Sequence, residues 1–153
     1  MRVVVISGYF NPLHVGHLDY IKAASKLGDK LVVIVNSDEQ VKLKGSTPFM
    51  NEFDRMKVVS AIKGVDKTTL SIDEGESVVE TLKSLYRECT VDYFFDSMVF
   101  ANGGDRTRDN SPEQTYCDRT GIITAYSIGG KKTQSSSSLL KAKFDEHGFY
   151  PHD

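Results

Sequence analysis

Apolar residues occur in this chain as short continuous runs separated by segments with helical spacing. The run Val3 to Ile6 predicts a strand over residues 2–7, and the run over residues 31–35 predicts a strand buried on both faces. A helix is predicted between them over 16–27, because apolar residues recur there at helical spacing: Leu18, Ile21, Ala24 and Leu27. A strand, a helix and a second strand in this order predict two parallel strands joined by a right-handed crossover.

The rest of the chain continues this alternation. Polar, turn-prone residues at 39–48 and 103–115 predict connections, and the aromatic residues 93–95 are predicted to lie in the core. A second helix is predicted over 51–63, with Phe53, Met56, Val59 and Ile62 on one stripe, and a third strand over 68–72. A helix over 78–88 capped by Ser77 follows. Strands over 99–102 and 121–127 and a last helix that starts in the serine run 135–138 complete the predicted elements. The pattern predicts an α/β fold with a Rossmann-like, doubly wound, mainly parallel five-stranded sheet, in a single domain over residues 1–153.

Composition narrows the function classes. With 39% hydrophobic and 26% charged residues, the chain has the composition of an ordinary globular protein. A net charge of -2 gives no electrostatic basis for nonspecific nucleic-acid binding. No apolar stretch approaches membrane-spanning length, and Cys89 and Cys117 lack metal-ligand spacing and are predicted to be free thiols. We therefore expect a cytoplasmic protein with neither nucleic acid nor a membrane as its partner.

Candidate chemistry is concentrated between the first strand and the first helix. His14 and His17 stand three residues apart at the predicted start of that helix, so both rings can reach one ligand. The helix N-terminus adds backbone N–H groups and a partial positive charge, which favour an anion. These residues predict a phosphate site.

The same segment supports a family resemblance. Gly8-x-Phe10-Asn11-x-x-His14-x-Gly16-His17 resembles the signature of the HxGH nucleotidyltransferase superfamily, which includes cytidylyltransferases and small adenylyltransferases. The resemblance implies a nucleotidyltransferase in which His14 and His17 are catalytic. It places the remaining turn residues at the nucleotide: Gly8, Tyr9, Phe10, Asn11 and Gly16.

Three further clusters match the superfamily in order and spacing. The resemblance implies that Lys44 is catalytic, on a mobile loop that folds over a triphosphate. Arg55 either binds phosphate or forms a structural ion pair with Asp54 or Glu52. Gly103, Gly104 and Asp105 are implied to bind the nucleotide, and this Gly-Gly-Asp form resembles the heptose-phosphate adenylyltransferases more than the glycerol-phosphate cytidylyltransferases, which favours ATP. Ser135, Ser136 and Ser137 are implied to form a second phosphate cradle. The chain departs from many relatives before the serine run, where lysines stand in place of an arginine, and lysine lacks a planar two-pronged grip.

The resemblance implies a transfer reaction without a protein nucleophile. An acceptor phosphate attacks the α-phosphorus of a nucleoside triphosphate and pyrophosphate leaves, with Mg2+ held by the nucleotide and water and no protein metal ligand. The expected partners are ATP, a phosphorylated sugar or polyol, and a second copy of the chain in a homodimer. A CTP-dependent cytidylyltransferase acting on glycerol 3-phosphate or an amino-alcohol phosphate, and a non-catalytic nucleotide-binding regulator, are the alternatives.

Overall fold

The structure, a computed structural model, describes residues 1–130. Within them five parallel strands form one sheet in the order β3-β2-β1-β4-β5. In chain order the elements are β1 (Arg2–Gly8), α1 (Val15–Ser25), β2 (Lys30–Val35), α2 (Asp38–Leu43), α3 (Glu52–Ser60), β3 (Lys67–Leu70), α4 (Val79–Thr90), β4 (Ser97–Ala101), α5 (Gln114–Thr120) and β5 (Ile123–Ala125). The predicted Rossmann-like α/β fold is confirmed.

The core lies on both faces of the sheet. Successive side chains of a strand point to opposite faces, so Val3 and Val5 join one cluster while Val4 and Ile6 join the other. The first cluster includes Leu82 of α4 and Cys117 of α5, and the second includes residues of α1 and α3. The continuous apolar runs predicted as buried strands are explained by this two-sided covering.

Strand order reverses between β1 and β4. The chain runs outward from β1 to β2 and β3, returns, and then runs outward through β4 and β5 on the other side. In such sheets the crevice at the carboxyl ends of the two central strands is the usual position of a ligand. β1 ends at Gly8, six residues before His14, and β4 ends at Ala101, two residues before Gly103.

Two helices were not predicted. The polar stretch 39–48 contains α2, whose first turn is closed by Ser37 and Gln40 as a capping box. α5 lies where polar residues and turns were expected to lead into the last strand. The helix predicted from residue 78 begins at Val79, with Val78 in the N-cap position, and the hydroxyl of the predicted cap Ser77 accepts a hydrogen bond from the N–H of Val79 at 3.5 Å.

Some aromatic residues were assigned to the core wrongly. Phe53 is 68% exposed, whereas Val59 of the same predicted stripe is fully buried. Tyr93 and Phe94 are 93% and 71% exposed, and Phe95 alone of these three neighbours packs against the core. These aromatics lie at a helix start and in a connection, where hydrophobicity alone does not determine burial.

Candidate active site

A cavity of about 650 Å³ opens at the carboxyl ends of β1 and β4. Eleven of the predicted site residues line it: Gly8, Tyr9, Phe10, Asn11, His14, Gly16, His17, Lys44, Gly103, Gly104 and Asp105. Arg55 is absent from that lining, and the predicted Ser135, Ser136 and Ser137 lie outside the described residues. The fold thus brings together predicted residues from three separate segments of the chain.

The two histidines close the first turn of α1. We call residues 8–17 the histidine turn. His14 is the N-cap residue, and its Nδ1 accepts a hydrogen bond from the backbone N–H of Gly16 at 3.1 Å. In return, Nδ1 of His17 accepts from the backbone N–H of His14 at 3.1 Å. The rings stack with their centroids 3.9 Å apart. This is a capping box built from imidazoles.

These hydrogen bonds determine which ring nitrogen carries the proton. A nitrogen that accepts an N–H hydrogen bond must be unprotonated, so the proton of each neutral ring is placed on Nε2. Both histidines are half-buried and line the cavity. The turn therefore presents two Nε2–H donors at the positive end of a helix, which suits binding of phosphate oxygens.

Glycines allow this close arrangement. A Cβ atom on Gly16 would lie 2.9 Å from Cε1 of His14, and one on Gly8 would lie 2.7 Å from the Phe10 ring. Both distances are shorter than atoms of neighbouring side chains can approach. The two glycines are therefore needed by the rings packed against them.

Phe10 supports the histidines from below. It is 1% exposed, and the edge of its ring contacts His17 with the centroids 4.9 Å apart. Its φ of 49° lies in the left-handed region, which is uncommon for a bulky residue. The following Asn11–Pro12 peptide bond is cis. Phe10 is placed to orient the His17 ring more than to cover a ligand surface.

Lys44 lies over Tyr9 at the mouth of the cavity. Its Nζ is 4.3 Å from the centre of the Tyr9 ring, a cation–π distance. Burial raises the pKa of the Tyr9 hydroxyl, and the carboxylate of Glu76 raises it further. Tyr9 is therefore neutral at physiological pH. Lys44 is the C-cap residue of α2 and not part of an irregular loop, which corrects the expected setting of this lysine.

Asn11 joins the histidine turn to the segment after Lys44. Its Nδ2 donates to the carbonyl of Thr47 at 2.9 Å, and its Oδ1 accepts from the N–H of Phe49 at 2.5 Å. Asn11 lines the cavity, yet both ends of its amide bond to the protein backbone. In this structure the side chain holds the segment that follows α2.

Arg55 has a structural position, away from the cavity wall. Its side chain is fully buried and its Nη2 donates to Oδ1 of Asp38 at 2.7 Å, so its ionic partner is neither Asp54 nor Glu52. Nη1 donates to the carbonyls of Tyr9 and Asn36, each at 2.7 Å, and Nε donates to the carbonyl of Met50 at 3.0 Å. The structure therefore does not support the predicted nucleotide contact. Arg55 instead connects the histidine turn to the ends of β2 and α3.

The opposite wall is formed by the β4–α5 loop, residues 102–113. Asn102 anchors its start through a hydrogen bond from its N–H to the carbonyl of Ala125 at 2.8 Å. Near its end Glu113 is 4% exposed, and its Oε2 accepts from the N–H of Val78 at 3.2 Å. Gly103 packs against the ring of Tyr20, whose hydroxyl donates to the carbonyl of Ala101 at 2.5 Å. Burial raises the pKa of Tyr20, so this hydroxyl keeps its proton.

Several cavity residues were not predicted as site residues. They are Ser7, Asp19, Tyr20, Asn36, Val41, Ser46, Glu76, Val78, Asn102, Arg106, Asn110, Glu113, Ile128, Gly129 and Gly130. Ser7, Asn102 and Arg106 adjoin predicted motif residues, and tertiary folding brings the others to the wall. With the predicted Asp105, the carboxylates of Asp19, Glu76 and Glu113 give the described cavity wall four acidic groups against two cations, Lys44 and Arg106.

No protein metal cage is present in residues 1–130, where no group of three or more His, Cys, Asp or Glu side chains could hold an ion. The same residues contain no helix that is both long and apolar enough to cross a bilayer. A divalent ion would fit this wall only as a partner of a bound nucleotide, which supplies oxygen ligands of its own.

Comparison with known proteins agrees with this geometry. A family model described as cytidylyltransferase-like matches residues 5–142. FAD synthase of Pyrococcus abyssi is 45% identical over 83 residues, covering 54% of this chain and 55% of that protein. FAD synthase of Thermoplasma volcanium is 30% identical over 141 residues, covering 90% of this chain and 91% of that protein. The first of these matches thus spans about half of the relative, and the second spans most of it.

Two further similarities point the same way. The bifunctional protein HldE of Haemophilus influenzae is 48% identical over 67 residues, which are 42% of this chain and 14% of that protein. The crystal structure of a lipopolysaccharide core biosynthesis protein from Thermoplasma volcanium GSS1 superposes with a TM-score of 0.64 at 27% identity, covering 89% of this chain and 99% of that one. The chain therefore belongs to the cytidylyltransferase-like family, within the nucleotidyltransferase superfamily that its motifs resemble.

Proposed function

We propose that this chain transfers AMP from ATP to the phosphate group of a phosphorylated polyol or sugar and releases pyrophosphate. The observation that carries the proposal is the imidazole capping box, which places two Nε2–H donors at one cavity wall. Family membership gives the general class of reaction, and the donor pair indicates where the phosphoryl chain would bind.

The chemistry needs positioning and no protein nucleophile. An oxygen of the acceptor phosphate attacks the α-phosphorus, a new P–O bond forms, and the bond to the bridging oxygen of pyrophosphate breaks. His14 and His17 would donate hydrogen bonds to the phosphoryl oxygens, on which negative charge is concentrated. Lys44 would neutralise further charge as a mobile point charge. Mg2+ bound to the nucleotide would neutralise charge on the leaving pyrophosphate.

The acceptor is proposed by chemical class. FMN carries its phosphate on a ribityl chain, which is a polyol, and FAD is FMN joined to AMP. The match to an FAD synthase over 90% of this chain makes FMN the first acceptor to test. The HldE match and the heptose-phosphate adenylyltransferase resemblance make a sugar 1-phosphate the second.

The test is a crossed assay on the purified full-length chain with Mg2+. ATP and CTP would each be combined with FMN, a heptose 1-phosphate, glycerol 3-phosphate and an amino-alcohol phosphate, with pyrophosphate release and product mass as readouts. An adenylylated product from ATP with FMN or a sugar phosphate supports the proposal. Turnover confined to CTP would contradict it in favour of a cytidylyltransferase. Nucleotide binding without turnover in any pair would favour a regulator.

We further propose a cytoplasmic homodimer, as the family resemblance implies. The serine run 135–137 keeps its proposed role as a second phosphate cradle. Light scattering on the purified chain checks the dimer, and a monomer mass at micromolar concentration would contradict it.

A further inference from the structure

Arg106 lies at the cavity wall directly after the Gly103-Gly104-Asp105 motif, and the sequence prediction gave it no role. Among the described residues that line the cavity, it and Lys44 are the cations, and it is the arginine. The side chain is exposed to the space of the cavity. A planar guanidinium can hold two phosphate oxygens at once, which an ammonium group cannot do.

The loop tip, residues 105–110, holds this side chain in place. Nη1 of Arg106 donates to the carbonyl of Asn110 at 2.7 Å. The side chain of Asn110 in turn donates from Nδ2 to the carbonyl of Asp105 at 3.1 Å and accepts at Oδ1 from the N–H of Thr107 at 2.8 Å. The Asn110 side chain therefore cross-links the loop tip, and the backbone carbonyl of Asn110 orients the Arg106 guanidinium.

The charge of Arg106 reaches the histidine turn. Burial is the main cause that raises the pKa of Tyr9 and of Tyr20, and the positive charge of Arg106 opposes that rise at both hydroxyls. Tyr9 belongs to the histidine turn and Tyr20 to α1, and both line the cavity. Arg106 and the start of α1 therefore lie around the same cavity.

The charge balance of the wall also requires a second cation. Asp19, Glu76, Asp105 and Glu113 are the acidic groups at the wall. A nucleoside triphosphate and a phosphate monoester would add several more negative charges to this space. Within residues 1–130, Lys44 is the other cation at the wall, and Mg2+ bound to the nucleotide would offset only part of the added charge. A second cation lowers the cost of holding the remainder in a partly enclosed site.

We propose that Arg106 binds phosphoryl oxygens of a substrate as a planar two-pronged contact, with Asn110 as its positioning residue. This inference rests on the proposed function of the cavity. The phosphoryl group is either the triphosphate of the nucleotide or the phosphate of the acceptor. In either case Arg106 supplies the planar grip that lysines cannot give before the serine run.

The experiment compares Arg106→Gln and Arg106→Lys with a matched control, Arg108→Gln. Arg108 stands two residues away, is exposed, pairs with Asp118 at 3.0 Å and does not line the cavity. Titration calorimetry would measure binding of a nonhydrolysable ATP analogue with Mg2+ and, separately, of FMN and a sugar 1-phosphate. These measurements do not depend on turnover.

We expect Arg106→Gln to weaken binding of one ligand by about tenfold or more, the scale of a charge-assisted hydrogen bond. Arg106→Lys should recover only part of this loss, and Arg108→Gln should bind as the wild type does. Weaker binding of the ATP analogue alone assigns Arg106 to the triphosphate, and weaker binding of an acceptor alone assigns it to the acceptor phosphate. Wild-type affinity of Arg106→Gln for every ligand would overturn the inference, as would failure of the wild type to bind any of them.

A second variant tests the positioning role. Asn110→Ala should raise the KM of the same ligand severalfold with kcat little changed, and Asn110→Asp, which keeps the acceptor for Thr107, should restore part of the affinity. An unchanged KM in Asn110→Ala would remove Asn110 from the inference. Wild-type binding without turnover would contradict the proposed function and still leave Arg106 to be judged by the calorimetry.

Discussion

The histidine turn and the tip of the β4–α5 loop face the same cavity, but they are held by different kinds of contact. The turn is fixed from outside by the buried guanidinium of Arg55, and from within by its own buried phenyl ring, Phe10, beneath His17. The loop tip is exposed and is fixed mainly by hydrogen bonds among its own residues, through Asn110. The difference indicates that the donor pair is built to stay in place, while the opposite cation can adjust to its ligand.

Loss of Arg55 should destabilise the protein more than any other substitution considered, because it releases the histidine turn. Arg55→Met removes a buried charge that bonds to three backbone carbonyls and to Asp38. We expect the free energy of unfolding to fall by about 3 kcal/mol, because buried carbonyls and a carboxylate lose their partner. Urea denaturation measures it, with Arg108→Met as the surface control. Equal midpoints for the two variants would contradict the structural role.

Loss of either imidazole should abolish most turnover. His14→Ala and His17→Ala should each lower kcat by about 10²-fold or more, the scale of losing one preorganised donor. Pyrophosphate release measures it. His14→Asn separates the two roles of this residue, since asparagine caps a helix but has no Nε2–H, so it should retain thermal stability and lose activity. Near wild-type kcat in both alanine variants would remove the pair from the mechanism.

A methyl group at residue 16 tests the position of the His14 ring without removing the ring. Gly16→Ala places a Cβ atom 2.9 Å from the His14 ring, which must shift. We expect kcat to fall about tenfold, because small misplacements of catalytic groups are costly. Stability should change little, since the higher helix propensity of alanine offsets a weakened hydrogen bond between the N–H of residue 16 and the His14 cap. Gly75→Ala, with open space at its Cβ position, is the matched control. Equal kcat values would show that the ring position is not critical.

Release of the segment after α2 should have the smallest effect. Asn11→Ala removes hydrogen bonds to the backbone of Thr47 and Phe49. We expect a loss of about 1 kcal/mol in unfolding free energy and a rise of about threefold in the KM for ATP, as Lys44 becomes less well placed. Asn11→Asp keeps the acceptor for Phe49 and should lie between the two. A lower KM in the alanine variant would contradict a positioning role.

The parts of the fold that were predicted correctly have strong local patterns. β1, α1 and β2 follow from two continuous apolar runs and a helical stripe between them. α2 was missed because its six residues are mostly polar, and α5 because seven residues form too short a stripe to recognise. Tyr93 and Phe94 were misassigned because burial depends on what packs above a residue, which no local pattern records.

The site residues likewise divide into those that a local sequence pattern predicts and those that only the tertiary structure brings together. His14, Gly16 and His17 were predictable because the chemistry and the geometry lie in one segment of ten residues. The burial of Arg55 could not be inferred, since its hydrogen-bond partners come from three separate segments of the chain. Arg106 and Glu113 reach the cavity only through the return of the chain from β4 to α5.

The hydrogen bonds of Arg55 have a consequence for motion. One guanidinium bonds to the first β–α connection, to the end of β2, to the first turn of α2 and to the entry of α3, so these segments must move as a single block. Within residues 1–130, we therefore expect any closure of the cavity to involve residues 105–110 and not the histidine turn.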